Sequence, residues 1–172
     1  LFIYFPSNDS SFLILLNLYS PLIFHPCKNP IEKKRIELKT FESNILKYLP
    51  QPIISPWEEE GITNEVMKAR GIAFDPKNQA IIIPHYNIDD ELVGIRQRTL
   101  ITEDEKFGKY RPAILNGVMY THPLGFNLYN LNNSKENIKM LKKVFIFEGE
   151  KSCLLYQSYF GVENDLSVAV CG

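Results

Sequence analysis

Val144-Phe145-Ile146-Phe147-Glu148-Gly149-Glu150-Lys151 is the stretch on which the fold turns. Four consecutive apolar residues that end in charge read as a strand buried on both faces. Cys153, Leu154, Leu155, Tyr156, Tyr159 and Phe160 then give a helix an apolar face, closed by Gly161. Ser167-Val168-Ala169-Val170-Cys171 reads as a second strand. Strand, helix and strand in this order predict a β-α-β unit with parallel strands and a right-handed crossover. Glu148 then stands at the carboxyl end of a parallel strand, where α/β sheets hold ligands. There it could bind Mg²⁺ or Mn²⁺, act as a general acid or base, or simply cap the helix that follows. Gly149 is expected to permit a sharp turn and the close approach of a ligand.

Upstream, the period of the sequence changes from three or four to two. Ala80-Ile81-Ile82-Ile83-Pro84 reads as a buried strand, Asn87-Ile88-Asp89-Asp90 as a turn, and Glu91 to Leu100 as the partner strand of a hairpin. Arg96 and Arg98 lie two residues apart and so project from one face. Either glutamates neutralise them on a solvated face, or they hold an anion such as phosphate. Lys109-Tyr110-Arg111 adds two cations around an aromatic ring, a combination suited to single-stranded nucleic acid, though weak alone. Thr63 to Gly71 has the signals of a short helix, with Thr63 or Asn64 as N-cap and Gly71 just past its end. Ser134 is expected to cap a helix containing Ile138 and Leu141 and ending at Lys142-Lys143.

The N-terminal third is less informative. Residues 31–49 carry Leu38, Phe41, Ile45 and Leu49 at helical spacing, with lysines between them. Pro50, Pro52 and Pro56 read as a rigid linker and the best boundary. The apolar run from Phe12 to Phe24 is broken by Asn17, Tyr19, Ser20 and Pro21 and is shorter than the ~20 residues that span a bilayer. It also lacks the features of a signal peptide, so no membrane role and a cytoplasmic location are expected. His25-Pro26-Cys27 brings two metal-ligand types together, short of the four of a structural zinc site.

Composition sets the outer limits. The chain has 172 residues, 45% apolar and 23% charged, which suits a globular fold and argues against wholesale disorder. A net charge of −1 means that any nucleic-acid surface is a local patch. Three dispersed cysteines, Cys27, Cys153 and Cys171, make a disulfide framework an unsuitable reading.

The ordered elements resemble the catalytic core of bacterial and phage DNA primases. Ile81-Ile82-Ile83-Pro84, Val93-Gly94-Ile95-Arg96-Gln97-Arg98, Lys109-Tyr110, Leu128-Tyr129-Asn130-Leu131 and Glu148-Gly149 follow the family's order, and the last opens what resembles a TOPRIM domain. The resemblance covers roughly residues 57–172. It implies an α/β fold with an α+β N-terminal part: a partial TOPRIM, Rossmann-like parallel sheet preceded by a mixed hairpin subdomain. The implied layout is an N-terminal segment with helix and linker over 1–56, a primase-like subdomain over 57–143, and the start of TOPRIM over 144–172. Glu148 would be the family's catalytic and metal-binding carboxylate. Arg98 and Lys109 would line the groove for template or nucleotide phosphates, with Arg96, Tyr110 and Arg111 beside them. The implied cofactor is Mg²⁺ or Mn²⁺, and the implied partners are single-stranded DNA, nucleoside triphosphates and a replicative helicase.

The resemblance has gaps. The family's Asp-x-Asp motif is not reached before Gly172, and Asp165 has no Asp two residues away to replace it. No Gly-x4-Gly-Lys-Ser/Thr occurs. The polypeptide is therefore expected to be inactive by itself, since Mg²⁺ needs ligands beyond Glu148. Three other readings stay open: a non-catalytic module for single-stranded nucleic acid, another TOPRIM enzyme such as a primase-helicase or nuclease, and an α/β domain with an unrelated role.

Overall fold

The computed structural model describes residues 3–4, 37–50, 56–121, 123 and 125–171. The apolar run from Phe12 to Phe24, His25-Pro26-Cys27, the first part of the helix read over 31–49, and Pro52 lie outside them.

In chain order the elements are β1 (Ile3–Tyr4), a 3-10 turn (Ser43–Tyr48), α1 (Pro56–Glu59), α2 (Asn64–Ala69), β2 (Ala73–Asp75), β3 (Ala80–Tyr86) and β4 (Leu92–Thr99). A second 3-10 turn (Thr102–Phe107), β5 (Tyr110–Leu115), β6 (Val118–Tyr120), α3 (Leu131–Leu141), β7 (Lys143–Phe147), α4 (Glu150–Phe160) and β8 (Ser167–Ala169) follow. They form two sheets. Strands β2 to β6 make an antiparallel meander in sequence order, and β7 lies between β1, antiparallel to it, and β8, parallel to it. The class is mixed α and β, as expected. The parallel pair joined through α4 is the β-α-β unit read from the sequence.

The β3–β4 hairpin is the frame of the molecule. Its register pairs Ile83 with Arg96 and Ile81 with Arg98, and β4 then pairs Arg98 with Tyr110 of β5. Strand β3 is buried over Ala80–His85 because both faces are covered. On one face, Ile81 and Ile83 pack with Trp57, Met67, Tyr129 and Leu154. On the other, Ile82 and Ile95 pack with Phe41, Ile45 and Leu49.

That second cover departs from the helix expected over residues 31–49. Among the described residues of that span, Phe41 instead bridges to Leu92 as extended backbone, and Ser43–Tyr48 coil as a 3-10 turn. A sheet face in need of apolar cover, and an edge residue that could accept Phe41 N–H, outweigh the helical period.

Two further local readings are corrected. Asn130, not Ser134, is the N-cap of α3; Ser134 is buried one turn in, its hydroxyl donating to Asn130 O (3.0 Å). Strand β7 is only partly buried: α3 reaches one face and α4 the other, but Phe145, Ile146 and Phe147 keep some exposure. In contrast α2 follows the sequence closely, with Thr63 Oγ1 accepting from Val66 N–H and Gly71 at φ +65° just past the end.

The main core draws on residues from Trp57 to Cys171. Trp57, Ile62, Ile81, Tyr129, Leu154 and Ala169 belong to one cluster, which joins the antiparallel sheet to the β7–α4–β8 unit.

Candidate functional site

The site lies where the hairpin frame meets the carboxyl ends of β7 and β8. Glu148 leaves β7 at that rim and is exposed, as its position at the end of a parallel strand requires. Its backbone carbonyl accepts from Cys171 N–H (2.9 Å), which places it beside the backbone that continues past β8. Gly149 has φ −136°, an ordinary extended conformation, so the turn itself does not demand glycine. A Cβ there would meet nothing within 4 Å, so the space above the strand end is open.

Strand alternation brings Arg96, Arg98 and Tyr110 to the sheet face that looks toward this rim. Arg96 Nη1 donates to Glu150 Oε1 (2.9 Å) and to Cys171 O (3.4 Å), and its guanidinium lies over the Tyr110 ring, 5.3 Å from the centroid. Arg98 is half-buried, donates from Nη1 to Thr99 O (3.0 Å), and reaches the Tyr110 hydroxyl. Burial pushes the Tyr110 phenol up despite these two cations, so the ring stays neutral.

Lys109 and Arg111 are placed differently. Lys109 is exposed and pairs with Glu105 (3.3 Å). Arg111 stands opposite Gln97, on the other face of the sheet, and pairs with Asp104 (3.1 Å). The structure thus gathers Arg96, Arg98 and Tyr110, keeps Lys109 at their edge, and separates Arg111 from them.

The carboxylate that meets Arg96 is Glu150, whose place was not legible in sequence. It opens α4 and is 2% exposed. Its Oε1 accepts from Arg96 and from His85 Nε2 (3.0 Å), and the Cys171 thiol donates to the same carboxylate. Burial raises the pKa of Glu150, but the His85 hydrogen bond and the neighbouring charges outweigh it and hold the group at about 2. Burial lowers that of His85, against the pull of Glu150, and raises that of Cys171. The only advance signal was the Glu-x-Glu spacing. It puts Glu150 on the first turn of α4, where a carboxylate also serves as a plain dipole partner.

A second buried network centres on Asp165, in the loop that leads into β8. Asp165 accepts from Arg70 Nη2 (3.2 Å), Asn130 Nδ2 (2.5 Å), Ser167 N–H (2.9 Å) and Ser167 Oγ (2.5 Å). It ties α2, α3 and β8 together and is fully buried, so it is not available at the rim.

As for a divalent cofactor, Glu148 offers one carboxylate. Among the described residues it belongs to no group of three potential ligands. Mg²⁺ held by one protein carboxylate draws its other ligands from water and substrate phosphate. A cavity of ≈ 320 Å³ between the end of α2 and the start of α3 is lined by Lys68, Tyr86, Asn132 and others, but by none of the groups at the rim.

No protein-family model matches the chain. Among curated proteins it is similar to the SPbeta prophage-derived uncharacterized protein YorJ of Bacillus subtilis (strain 168), with 38% identity over 144 residues. That match covers 81% of this chain and 38% of the other, so the chain spans well under half of its relative's length. Among solved structures it is similar to the zinc-binding and RNA polymerase domains of the Aquifex aeolicus primase (TM-score 0.60, 16% identity, 75% of this chain, 40% of the other). It is also similar to the RNA polymerase domain of Mycobacterium tuberculosis primase DnaG (TM-score 0.57, 15% identity, 75% and 54%). A third likeness is to a DnaG primase catalytic domain bound to ssDNA (TM-score 0.51, 15% identity, 75% and 51%). What the chain shares with these primase domains is the fold.

Proposed function

We propose that this chain is part of the catalytic core of a DnaG-type primase, and that its β7–α4–β8 unit begins a TOPRIM domain. On this reading the whole protein is a nucleotidyltransferase that makes RNA primers on single-stranded DNA from nucleoside triphosphates. The observation that carries it is Arg96. This side chain leaves the antiparallel sheet, covers Tyr110, and reaches the strand-end rim where Glu148 stands. One continuous surface then runs from a basic, aromatic face to a free carboxylate, the order needed to lead a strand to a reacting phosphate. The likeness to primase folds and to a prophage-derived protein supports the same assignment.

Roles follow from placement. Glu148 is the acid/base or metal-holding carboxylate. Arg98 and Lys109 contact backbone phosphates, and Tyr110 offers a ring for a base. Arg96 is anchored by Glu150 and contributes its remaining N–H groups. Arg111 is the least suited, since it faces away and is paired. Mg²⁺ or Mn²⁺, when bound, would neutralise charge on the triphosphate; the chain's own residues orient the strand and keep Glu148 at the rim.

A second reading, a binding module without catalysis, is favoured by the lone carboxylate at Glu148. One experiment separates the two: primer synthesis on single-stranded DNA by the protein extended past Gly172, beside Glu148→Gln and Arg98→Ala. The enzyme reading expects Glu148→Gln to cut synthesis by about 100-fold or more while leaving DNA affinity unchanged. Arg98→Ala should weaken DNA binding and lower its salt dependence by about one counterion. Salt-sensitive binding with no synthesis by the parent protein would establish the binding module instead.

A further inference from the structure

We propose that His85, Glu150 and Cys171 form a site for a borderline-soft divalent cation of the Zn²⁺ type, separate from any Mg²⁺ held at Glu148. The three residues come from β3, the first turn of α4 and the stretch just after β8, far apart in sequence. His85 Nε2, a Glu150 carboxylate oxygen and Cys171 Sγ nevertheless all lie within 4.8 Å of one another. All three residues are buried, at 0%, 2% and 1% exposure. Around one zinc ion such atoms stand roughly 3.3–3.8 Å apart, so the widest pair need close by only about 1 Å.

The donor set decides which ion fits. One imidazole, one carboxylate and one thiolate suit Zn²⁺ or Co²⁺, whereas Mg²⁺ takes oxygen ligands and avoids sulfur. Arg96 does not compete for the site but completes it. Its guanidinium holds one carboxylate oxygen of Glu150, the outer support that metal-bound carboxylates commonly have. With Cys171 bound as thiolate, its proton released to buffer, and the His85 proton moved from Nε2 to Nδ1 so that Nε2 can turn from Glu150 to the metal, two anions and one neutral imidazole face the ion while Arg96 offsets part of their charge.

Two independent features mark the same place. Cys171 has φ +52°, a left-handed conformation that a non-glycine residue adopts at some cost and that is concentrated at functional positions. Tyr129 packs its ring on His85, 5.0 Å between centroids, and its buried hydroxyl has no hydrogen-bond partner among the described residues. A water on the fourth position of the metal would supply an acceptor on this side of the cluster.

Three protein ligands and a water make an open site, and its place under Arg96 lets the ion lock β3, α4 and β8 together beneath the basic face. The proposal concerns metal binding by this chain and stands whether or not the protein is a primase.

The test is titration of the intact, reduced, metal-free chain with Co²⁺, whose charge-transfer absorption in the near ultraviolet reports a thiolate ligand. One equivalent should produce the band, excess Mg²⁺ should leave it intact, and Zn²⁺ should bleach it. Cys171→Ser should abolish the band, His85→Gln should weaken binding at least tenfold, and Cys153→Ser should keep both band and affinity. Circular dichroism confirms that each variant is folded, and Zn²⁺ should raise the melting temperature of the parent but not of Cys171→Ser. Absence of the band in the parent chain, or its survival in Cys171→Ser, would overturn the site.

Discussion

A buried carboxylate that keeps its charge needs donors around it, and Glu150 has His85, Arg96 and Cys171. Its carboxyl is held at about 2, against an ordinary 4.5, so the folded state binds this proton more weakly than the unfolded chain. The stabilisation is complete above the unfolded value and is lost as pH falls from there through the folded one. Over that span it amounts to about 3 kcal/mol. His85 acts in the same direction from a higher pH: burial lowers its pKa from 6.5, so acid protonates the unfolded chain first. We therefore expect the metal-free chain to lose stability between about pH 5 and about pH 3, and Glu150→Gln to lose much less over the same interval. Urea unfolding at both pH values measures this, and equal losses in the two proteins would show that Glu150 does not carry the acid response.

At the scale of elements, α2 and the start of α4 invite opposite expectations for small changes. Thr63 caps α2 with a side-chain acceptor for Val66 N–H (3.3 Å), and Thr63→Ala should cost about 1 kcal/mol. Gly149 precedes α4 in an extended conformation with open space around its Cα, so Gly149→Ala should leave thermal stability unchanged. If a phosphate-bearing ligand lies on that open side, the same methyl group will weaken its binding, which a DNA or nucleotide titration would detect. The hairpin strands, α2, α4 and β8 were legible because each carries a clean local period with its own stop signals. The segment around Phe41 was not. Its helical spacing is real, yet the uncovered face of β3 and β4 took it as an extended strap.

For the whole molecule, the decisive feature is a core that ignores the order of the chain. Trp57 and Ile62 pack with Leu154 and Ala169, and Arg70 at the end of α2 pairs with Asp165 before β8. Asp165→Ala would leave Arg70 partly buried without its carboxylate and remove the shared acceptor of Asn130 and Ser167. Such a break in a buried pair should cost about 3–5 kcal/mol. Because the core is shared, denaturation should remain a single transition by both fluorescence and circular dichroism. Two separated transitions would mean that the β7–α4–β8 unit folds independently of the antiparallel sheet.

The amino-acid sequence by itself determined the β3–β4 hairpin, the parallel β7–α4–β8 unit, the rim position of Glu148 and the shared face of Arg96 and Arg98. These depend on periods of two and 3.6 residues and on turn chemistry, all of which act over a few neighbours. Only the tertiary structure decided what those side chains meet. It sent Arg111 to the opposite face, made Asp165 a buried tie, and set Glu150 rather than Glu148 against Arg96, His85 and Cys171. The physical reason is separation: Glu150 meets partners 54 and 65 residues away. No local period encodes contacts that form when two sheets pack together.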